Sequence, residues 1–311
     1  MLTLGVILMR SYRHKEMSSA AAALVIAIAW FCNSSGDNKM KFTRIEYLTS
    51  EIMGPPEALV IDSNGSVTYE SHTNRPERGA GAVGTYATTL DASEMEALAA
   101  VLANPPFREL PDHWGQIAAG ERYKLIRLSA DTEKVEKRIG MRKPVDPRMQ
   151  ALLERLDRIV REVKQHPVRN LQLQLSRARL ESDGTFAGTI TLTNPGTASV
   201  TCANPAALRG APGGRLSLRG WPDREESEIH STDIFDADVI DVEREGLPAK
   251  STGGLLEISA GASASFRIRA PAPKRDDIAY VVQVLYQNTA AERGGREVMI
   301  VELYSPPVKL K

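Results

Sequence analysis

Alternation of apolar and polar residues runs through residues 167–311 and limits what this part of the chain can form. The alternating runs include NLQLQLSRARL, TFAGTITLT, LLEISAGASASFRI and REVMIVELY, and Gly, Asn or Pro residues separate them. A period of two puts every second side chain on one face of a strand and does not match the period of a helix. Short alternating runs between turn residues are typical of two packed antiparallel sheets. We therefore expect residues 167–311 to form an all-β sandwich domain.

Residues 41–166 combine strand signals with two helical segments. FTRIEYLT, EALVIDSNGSVTYES and AVGTYATTL are typical of strands, and Asn64-Gly65 supplies the positive φ angles of a tight hairpin. YKLIRLSAD and EKVEKRIGM predict a further strand pair. Strands interrupted by helices favour an α+β domain in which two helices cover an antiparallel sheet.

Both predicted helices carry start signals and one apolar face. Asp91 or Ser93 is expected to cap the first helix, and Asp146 caps the second, with Pro147 at its first position. The apolar residues at helical spacing are Met95, Leu98, Val101 and Leu102 in the first helix and Met149, Leu152, Leu156, Ile159 and Val163 in the second. Because Pro167 follows the second helix closely, the linker is short, and we expect a fixed or hinged pair of domains.

The N-terminus carries an apolar run of 13 residues, Ala20–Cys32, behind a basic segment. A helix of that length reaches about 20 Å at about 1.5 Å per residue. A bilayer core is about 30 Å thick, so the run is short for a span and typical of an export signal. Residues 1–32 are therefore expected to be a signal peptide or a membrane anchor, and residues 33–40 a tether.

The residues after this run, CNSSGDNK, resemble the start of a mature bacterial lipoprotein, whose first residue is a lipidated cysteine. The resemblance implies lipidation of Cys32. Phe31 stands where the lipobox has Gly, Ala or Ser, so an uncleaved anchor and an ordinary cleaved signal stay open as alternatives. These three alternatives place the protein in the cell envelope, on its periplasmic or extracellular face. A cytosolic protein with a misassigned start is the fourth.

Two further resemblances concern the domains. The segments ALVIDSNGSVTYES, LDASEMEALAAVLANPPFREL and YKLIRL distantly resemble emfourin-like inhibitors. That resemblance implies inhibition of a thermolysin-type zinc protease. TLTNPGTASVT and LEISAGASASFRI resemble immunoglobulin-like modules of envelope proteins, which implies a fold and no particular activity.

Composition excludes several classes of function. Lys and Arg number 39, as do Asp and Glu, so the formal net charge is zero. Nucleic-acid binding calls for a basic face, so no nucleic-acid partner is expected. The two cysteines, Cys32 and Cys202, cannot build a disulfide scaffold.

The densest group of carboxylates lies in HSTDIFDADVIDVEREG, with aspartates at 233, 236, 238 and 241. Ca²⁺ takes six to eight oxygen ligands, but the glycine and terminal glutamate of an EF-hand loop are missing. We expect instead a solvated edge strand or loop whose charges prevent pairing with another sheet. No metal and no cofactor are predicted.

Histidine and tryptophan provide few site signals. His72, His113, His166 and His230 do not occur at metal-binding helical spacing. In LPDHWGQ, His113 precedes Trp114, which either packs under the sheet or forms a contact site for a partner. Trp221 has the same two alternatives.

No catalytic residue is predicted. The chain has no G-x-S-x-G motif, Cys202 lies in an alternating run typical of a buried inert thiol, and GAGAVG (79–84) reads as a loop. The sequence therefore favours a non-catalytic, membrane-tethered or exported protein that binds or scaffolds other envelope proteins. An inhibitor of a thermolysin-type zinc protease is the alternative, and an enzyme of unknown class is the second alternative.

Overall fold

One long sheet runs through both halves of the chain. A computed structural model describes residues 42–49, 56–75, 81–103, 107–115, 123–130, 133–140, 146–208, 210–224, 233–246, 251–252, 254–272, 279–293 and 295–310. The apolar run Ala20–Cys32, Cys32 itself and the tether lie outside the described residues. The contacts group residues 41–311 into one unit. The predicted boundary between residues 166 and 167 falls within this unit and stays a prediction.

The first half contains seven strands, two α-helices and one short 3₁₀ helix (Phe107–Glu109) among its described residues. The strands are β1 (Arg44–Thr49), β2 (Glu57–Asp62), β3 (Ser66–Ser71), β4 (Val83–Thr89), β5 (His113–Trp114), β6 (Tyr123–Ala130) and β7 (Glu133–Gly140). The helices are α1 (Ala92–Ala103) and α2 (Pro147–Val163), and both were predicted. The strand order β4-β3-β2-β1-β6-β7-β5 is antiparallel except for the parallel pair of β5 and β7.

The helices begin at the predicted caps, and α2 buries its whole predicted face, whereas α1 fully buries Leu98 and Leu102 and only half-buries Met95 and Val101. The Asp91 carboxylate accepts the Glu94 backbone N–H at 2.8 Å, and this hydrogen bond lowers the pKa of Asp91. Helix α2 starts at Pro147. Its buried residues include the whole predicted stripe, Met149, Leu152, Leu156, Ile159 and Val163. The Tyr47 hydroxyl of β1 donates to Asp157 at 2.7 Å and ties this helix to the sheet.

The second half is built of strands, with one short 3₁₀ helix at Pro205–Ala207 among its described residues. They are β8 (Pro167–Leu180), β9 (Thr185–Thr193), β10 (Val200–Ala203), β11 (Gly214–Pro222), β12 (Phe235–Asp238), β13 (Asp241–Glu245), β14 (Ser251–Thr252), β15 (Leu255–Ile258), β16 (Ser263–Pro271), β17 (Tyr280–Asn288), β18 (Glu292–Arg293), β19 (Arg296–Glu297), β20 (Val301–Tyr304) and β21 (Val308–Lys309). Strands β13-β16-β9-β8 form one sheet, and β12-β11-β17-β20 form another, with β21 also paired to β17. A small third sheet has the order β10-β15-β14.

The two larger sheets enclose a common apolar core, which confirms the predicted β-sandwich. One sheet contributes Ile190 and Phe266 to this core, and the other contributes Val284 and Tyr286. All four side chains are fully buried. Buried residues alternate with more exposed ones along β16, as the sequence predicted. Strand β9 departs from this pattern, because residues 186–190 are all buried.

Strand β8 joins the sandwich to the first half. Its beginning pairs with β4 and its remainder with β9, so the described sheet reaches eleven strands. The β4–β8 approach is close because Gly84 has a φ of +132°, and a Cβ placed there would lie 2.0 Å from the Arg169 carbonyl oxygen. Only glycine fits at this crossing.

A second connection forms where the segment after β3 runs beside β20. Thr73 makes a parallel bridge with Glu302, and the buried Asn74 donates to the Tyr304 carbonyl at 3.0 Å. Arg75 binds Glu302 through two hydrogen bonds of 3.0 and 3.2 Å. The two halves are thus held together by both β8 and this seam.

Candidate interaction site at the sheet edge

Strand β7 lies at one end of the long sheet. It pairs with β6 along its whole length without a register shift, whereas β5 pairs only with Arg138 and Ile139. Residues 133–137 have β6 on one side and, within the described part of the chain, no strand on the other. We call residues 133–137 the β7 edge.

The direction of the backbone can be read from β5. The Arg138 amide donates to the Asp112 carbonyl oxygen at 2.8 Å, away from β6. Backbone direction alternates along a strand in an antiparallel ladder. Lys134 and Glu136 therefore point their N–H and C=O groups outward, while Val135 faces β6. These outward groups are those that an added strand would bind.

A solvent-open cleft of about 400 Å³ lies against the β7 edge. It is lined by Asp112, His113, Lys134, Val135, Glu136 and Arg138. The cleft lies beside residues 134–136 of β7, ahead of His113, where the parallel strand β5 begins.

A buried lysine fixes the loop that borders this cleft. Lys137 is 0% exposed, and its ammonium group donates to the carbonyl oxygens of Arg108 and Leu110. It also donates to the Asp112 carboxylate at 2.8 Å, and its Nζ lies 5.7 Å from the centre of the Phe107 ring. The hydrogen bond from Lys137 lowers the pKa of Asp112. The lysine thus holds the segment leading into β5 beneath the sheet.

The solvent face beside the edge carries charges of alternating sign. Glu136 pairs with Arg127 at 2.8 Å and with Arg138 at 2.9 Å, and Arg127 approaches Glu46 at 3.7 Å. The hydrogen bond from Arg127 lowers the pKa of Glu136, which keeps the carboxylate ionised at neutral pH. Lys134 is exposed and makes no ion pair with another described residue. The row Glu46–Arg127–Glu136 therefore ends with a negative charge at the β7 edge.

A second cleft, of about 450 Å³, lies in the sandwich. Leu208, Leu216 and Val242 contribute apolar atoms to its lining. Its charged residues Arg215 and Asp238 lie 3.5 Å apart and pair with each other.

The acidic loop takes the predicted form of edge strands. Asp236 and Asp238 lie on β12, at the rim of one sheet, and both approach Arg215. Asp241 lies on β13, at the rim of the other sheet. The described residues contain no group of three His, Cys, Asp or Glu side chains that could hold a metal ion.

The predicted histidine and tryptophan candidates lie in separate places. His72 lies at the seam, with Nδ1 3.3 Å from the Ile300 carbonyl oxygen, and His166 is exposed after α2. His230 lies outside the described residues. His113 and the half-buried Trp114 form β5, beside the cleft, and the buried Trp114 indole N–H has no hydrogen-bond partner among the described residues. Trp221 is half-buried on β11.

Cys202 is fully buried, as predicted. Burial raises the pKa of its thiol to about 12, so almost none of it is ionised at neutral pH. The neighbouring Tyr286 hydroxyl donates to the Ala203 carbonyl at 2.6 Å. This cysteine is a packing residue of the sandwich core.

The sequence reasoning missed Lys137 and the β7 edge. In EKVEKRIG, Lys137 lies on the same strand face as the apolar residues Val135 and Ile139. This position was the available signal that Lys137 is buried. The edge itself depends on where β5 begins, at His113, which no local pattern encodes.

No protein-family model and no curated protein sequence matches the chain. Among solved structures, the chain is similar to the archaellum periplasmic stator protein FlaG from Sulfolobus acidocaldarius, with 14% identity, a TM-score of 0.21, and 44% of this chain and 99% of that chain covered. The FlaF–FlaG stator complex from the same organism gives 13% identity, a TM-score of 0.20 and coverages of 44% and 87%. PapD-like domain 7 of human CEP192 has 14% sequence identity and a TM-score of 0.20, and the match covers 45% of this chain and 81% of that chain. TM-scores of this size establish no relationship.

Proposed function

We propose that the protein is a non-catalytic component of the cell envelope that binds or scaffolds other proteins at the β7 edge. The observation that carries this proposal is the edge itself, with outward backbone groups at Lys134 and Glu136 beside an open cleft. Extended segments bind such edges by adding a strand, because main-chain hydrogen bonds supply affinity and neighbouring side chains supply selectivity. The connection of the two halves through β8 and the seam suits a scaffold.

The charges at the edge restrict the choice of partner. Exposed sheet edges invite unspecific pairing, and charged side chains suppress it. At this edge Lys134 and Glu136 carry opposite charges two residues apart. A partner segment must therefore present complementary charges in the right register, and mismatched segments are rejected.

Location is part of the proposal. The N-terminal run would export the chain or anchor it, and Cys32 would carry a lipid if the signal is processed as in lipoproteins. No helix in the described part of the chain is long and apolar enough to cross a membrane. The intact mass of the native protein tests this part, because it reports the start site, the cleavage and any lipid together.

Site-directed photocrosslinking tests the binding role. A photoreactive amino acid replaces Glu133 at the edge or, as a control, the exposed Glu257 on β15, in the full chain in its own membranes. We expect one defined crosslinked peptide from Glu133 alone, lost in Lys134→Pro, because proline removes the outward N–H and leaves the β6 ladder intact. A synthetic copy of the crosslinked peptide must then bind the wild type and not Lys134→Pro. Equal crosslinking from both positions, or none, would contradict the proposal.

The two alternatives of the sequence reasoning stay predictions. A zinc-protease inhibitor would lower the activity of a thermolysin-type enzyme at stoichiometric concentration, and no effect across a panel of such enzymes would rule it out. An enzymatic role would require a substrate that is turned over by the purified protein, with an activity that copurifies with the chain.

A further inference from the structure

The β7 edge of one copy of the chain is complementary to the β7 edge of a second copy. Two copies can meet edge to edge in antiparallel fashion around a twofold axis that passes beside Val135. Lys134 then lies opposite Glu136 of the second copy, and Glu136 lies opposite Lys134 of that copy. Because both residues point their backbone groups outward, each of these is a hydrogen-bonded pair in which two N–H···O bonds form. The central Val135 pair is a non-bonded pair, as the alternation requires.

Charge favours the same register. Residues directly opposite each other on one face have Cβ atoms about 5 Å apart, so opposite charges there attract. The existing row Glu46–Arg127–Glu136 alternates in sign and ends on a negative charge. Lys134 of a second copy would extend this row with a positive charge, and the twofold axis repeats the arrangement. A shift of the register by two residues in one direction places Lys134 opposite Lys134 of the second copy, and a shift in the other direction places Glu136 opposite Glu136. Both shifts bring like charges together, which is unfavourable.

The neighbouring structure limits the length of the contact. Pairing can extend over residues 133–137 and stops before Arg138, whose amide already donates to Asp112. The side chain of Lys137 is buried in the core and makes no contact across the axis. The contact is therefore short, and short interfaces give weak association that a shared membrane surface would strengthen.

We propose that the partner of the β7 edge is a second copy of this chain, joined by antiparallel pairing centred on Val135. The proposal rests on the proposed function, because it names the occupant of the same site. It makes the protein a twofold scaffold whose two long sheets become one continuous sheet.

Paired charge reversals test this register. Lys134→Glu places two glutamates opposite each other in its homodimer, and Glu136→Lys places two lysines opposite each other. When the two variants are mixed, both cross-strand pairs again carry opposite charges. We expect each variant alone to dimerise about tenfold more weakly than the wild type and the mixture to recover a heterodimer. Arg296→Glu, on the exposed β19, is the matched charge control and should dimerise as the wild type does.

Sedimentation equilibrium up to about 1 mM covers the range expected of a weak dimer. Circular dichroism confirms the fold of each variant, and Lys134→Ala with Lys134→Pro serve as a second pair if Glu136→Lys does not fold. Alanine keeps the outward N–H and proline removes it, so proline should weaken the dimer about tenfold further.

Several outcomes would overturn the self-pairing. A wild type that stays monomeric to about 1 mM would do so, as would a wild-type dimer whose mixed variants show no preference for each other. In either case, a crosslink from Glu133 to a different protein would leave the proposed function standing. Loss of both the dimer and the crosslink would overturn both.

Discussion

Replacing Lys137 by methionine should destabilise the protein and release β5. The ammonium group donates to two backbone carbonyls, those of Arg108 and Leu110, and to the Asp112 carboxylate. Methionine fills a similar volume and can pack against Phe107, so the change removes the donors and creates little cavity. The experiment therefore isolates the hydrogen bonds from the packing.

The expected loss follows from two opposing effects. Hydrogen bonds to a charged group contribute about 1.5–3 kcal/mol each, and two carbonyl acceptors lose such a donor. Against this, methionine avoids the cost of burying an ammonium group, which is several kcal/mol before its partners compensate it. Removing the charge leaves no unpaired buried ion, because the Asp112 side chain is 72% exposed. We expect a net loss of about 2 kcal/mol in the free energy of unfolding.

Urea unfolding followed by circular dichroism measures this loss. Lys134→Met, an exposed position on the same strand, is the control and should stay within about 0.5 kcal/mol of the wild type. A Lys137→Met variant as stable as the wild type or more stable would refute the reasoning, because burial of the lysine would then cost as much as its bonds contribute.

The pH dependence provides a second check on the same substitution. The hydrogen bond from Lys137 lowers the pKa of Asp112 in the folded state. The ionised Asp112 carboxylate therefore contributes its full stabilisation above the unfolded-state pKa of about 3.9. This stabilisation declines as the pH falls through the lower pKa of the folded state. Lys137→Met should lose this acid-side dependence. An unchanged decline below about pH 4 would show that other carboxylates cause it.

Three further predictions concern the rest of the fold. Gly84→Ala should cost at least about 3 kcal/mol in urea unfolding, whereas Gly81→Ala, whose new Cβ would meet no other described residue within 4 Å apart from its chain neighbours, should be neutral; equal effects would contradict the close β4–β8 crossing. A double-mutant cycle of Arg75→Ala and Glu302→Ala should give a coupling of about 1 kcal/mol, and a value near zero would mean that the seam is not held by this pair. Cys202 should react with a thiol reagent only after denaturation, since burial raises its pKa to about 12; rapid native labelling would refute its burial.

Much of the fold could be predicted because local patterns carry it. Asp91 and Pro147 mark helix starts, and the buried face of α2 follows the apolar spacing of the sequence. The alternation after Pro167 predicts strands whose inner residues fill the sandwich core. These features depend on neighbours a few residues apart, where sequence pattern and structure agree.

The site could not be predicted because it depends on distant partners. The pairing of Thr73 with Glu302 joins residues that lie far apart in the chain, and no spacing rule indicates it. Lysine is rarely buried, so Lys137 reads as an exposed residue until the carbonyls of Arg108 and Leu110 are placed around it. His113 and Trp114 were named as candidates, but only the β5–β7 pairing puts them beside an open edge.

Amide-resolved hydrogen exchange of β7 tests the central claim most directly. In dilute protein, the outward amides of Lys134 and Glu136 should exchange fast, while those of Val135 and Lys137, bonded to β6, should exchange slowly. On concentration, or on addition of a bound partner peptide, the two outward amides should become protected and the inward ones should not change. Protection of Lys134 and Glu136 in the dilute monomer, or its absence when the protein is fully bound, would contradict the account.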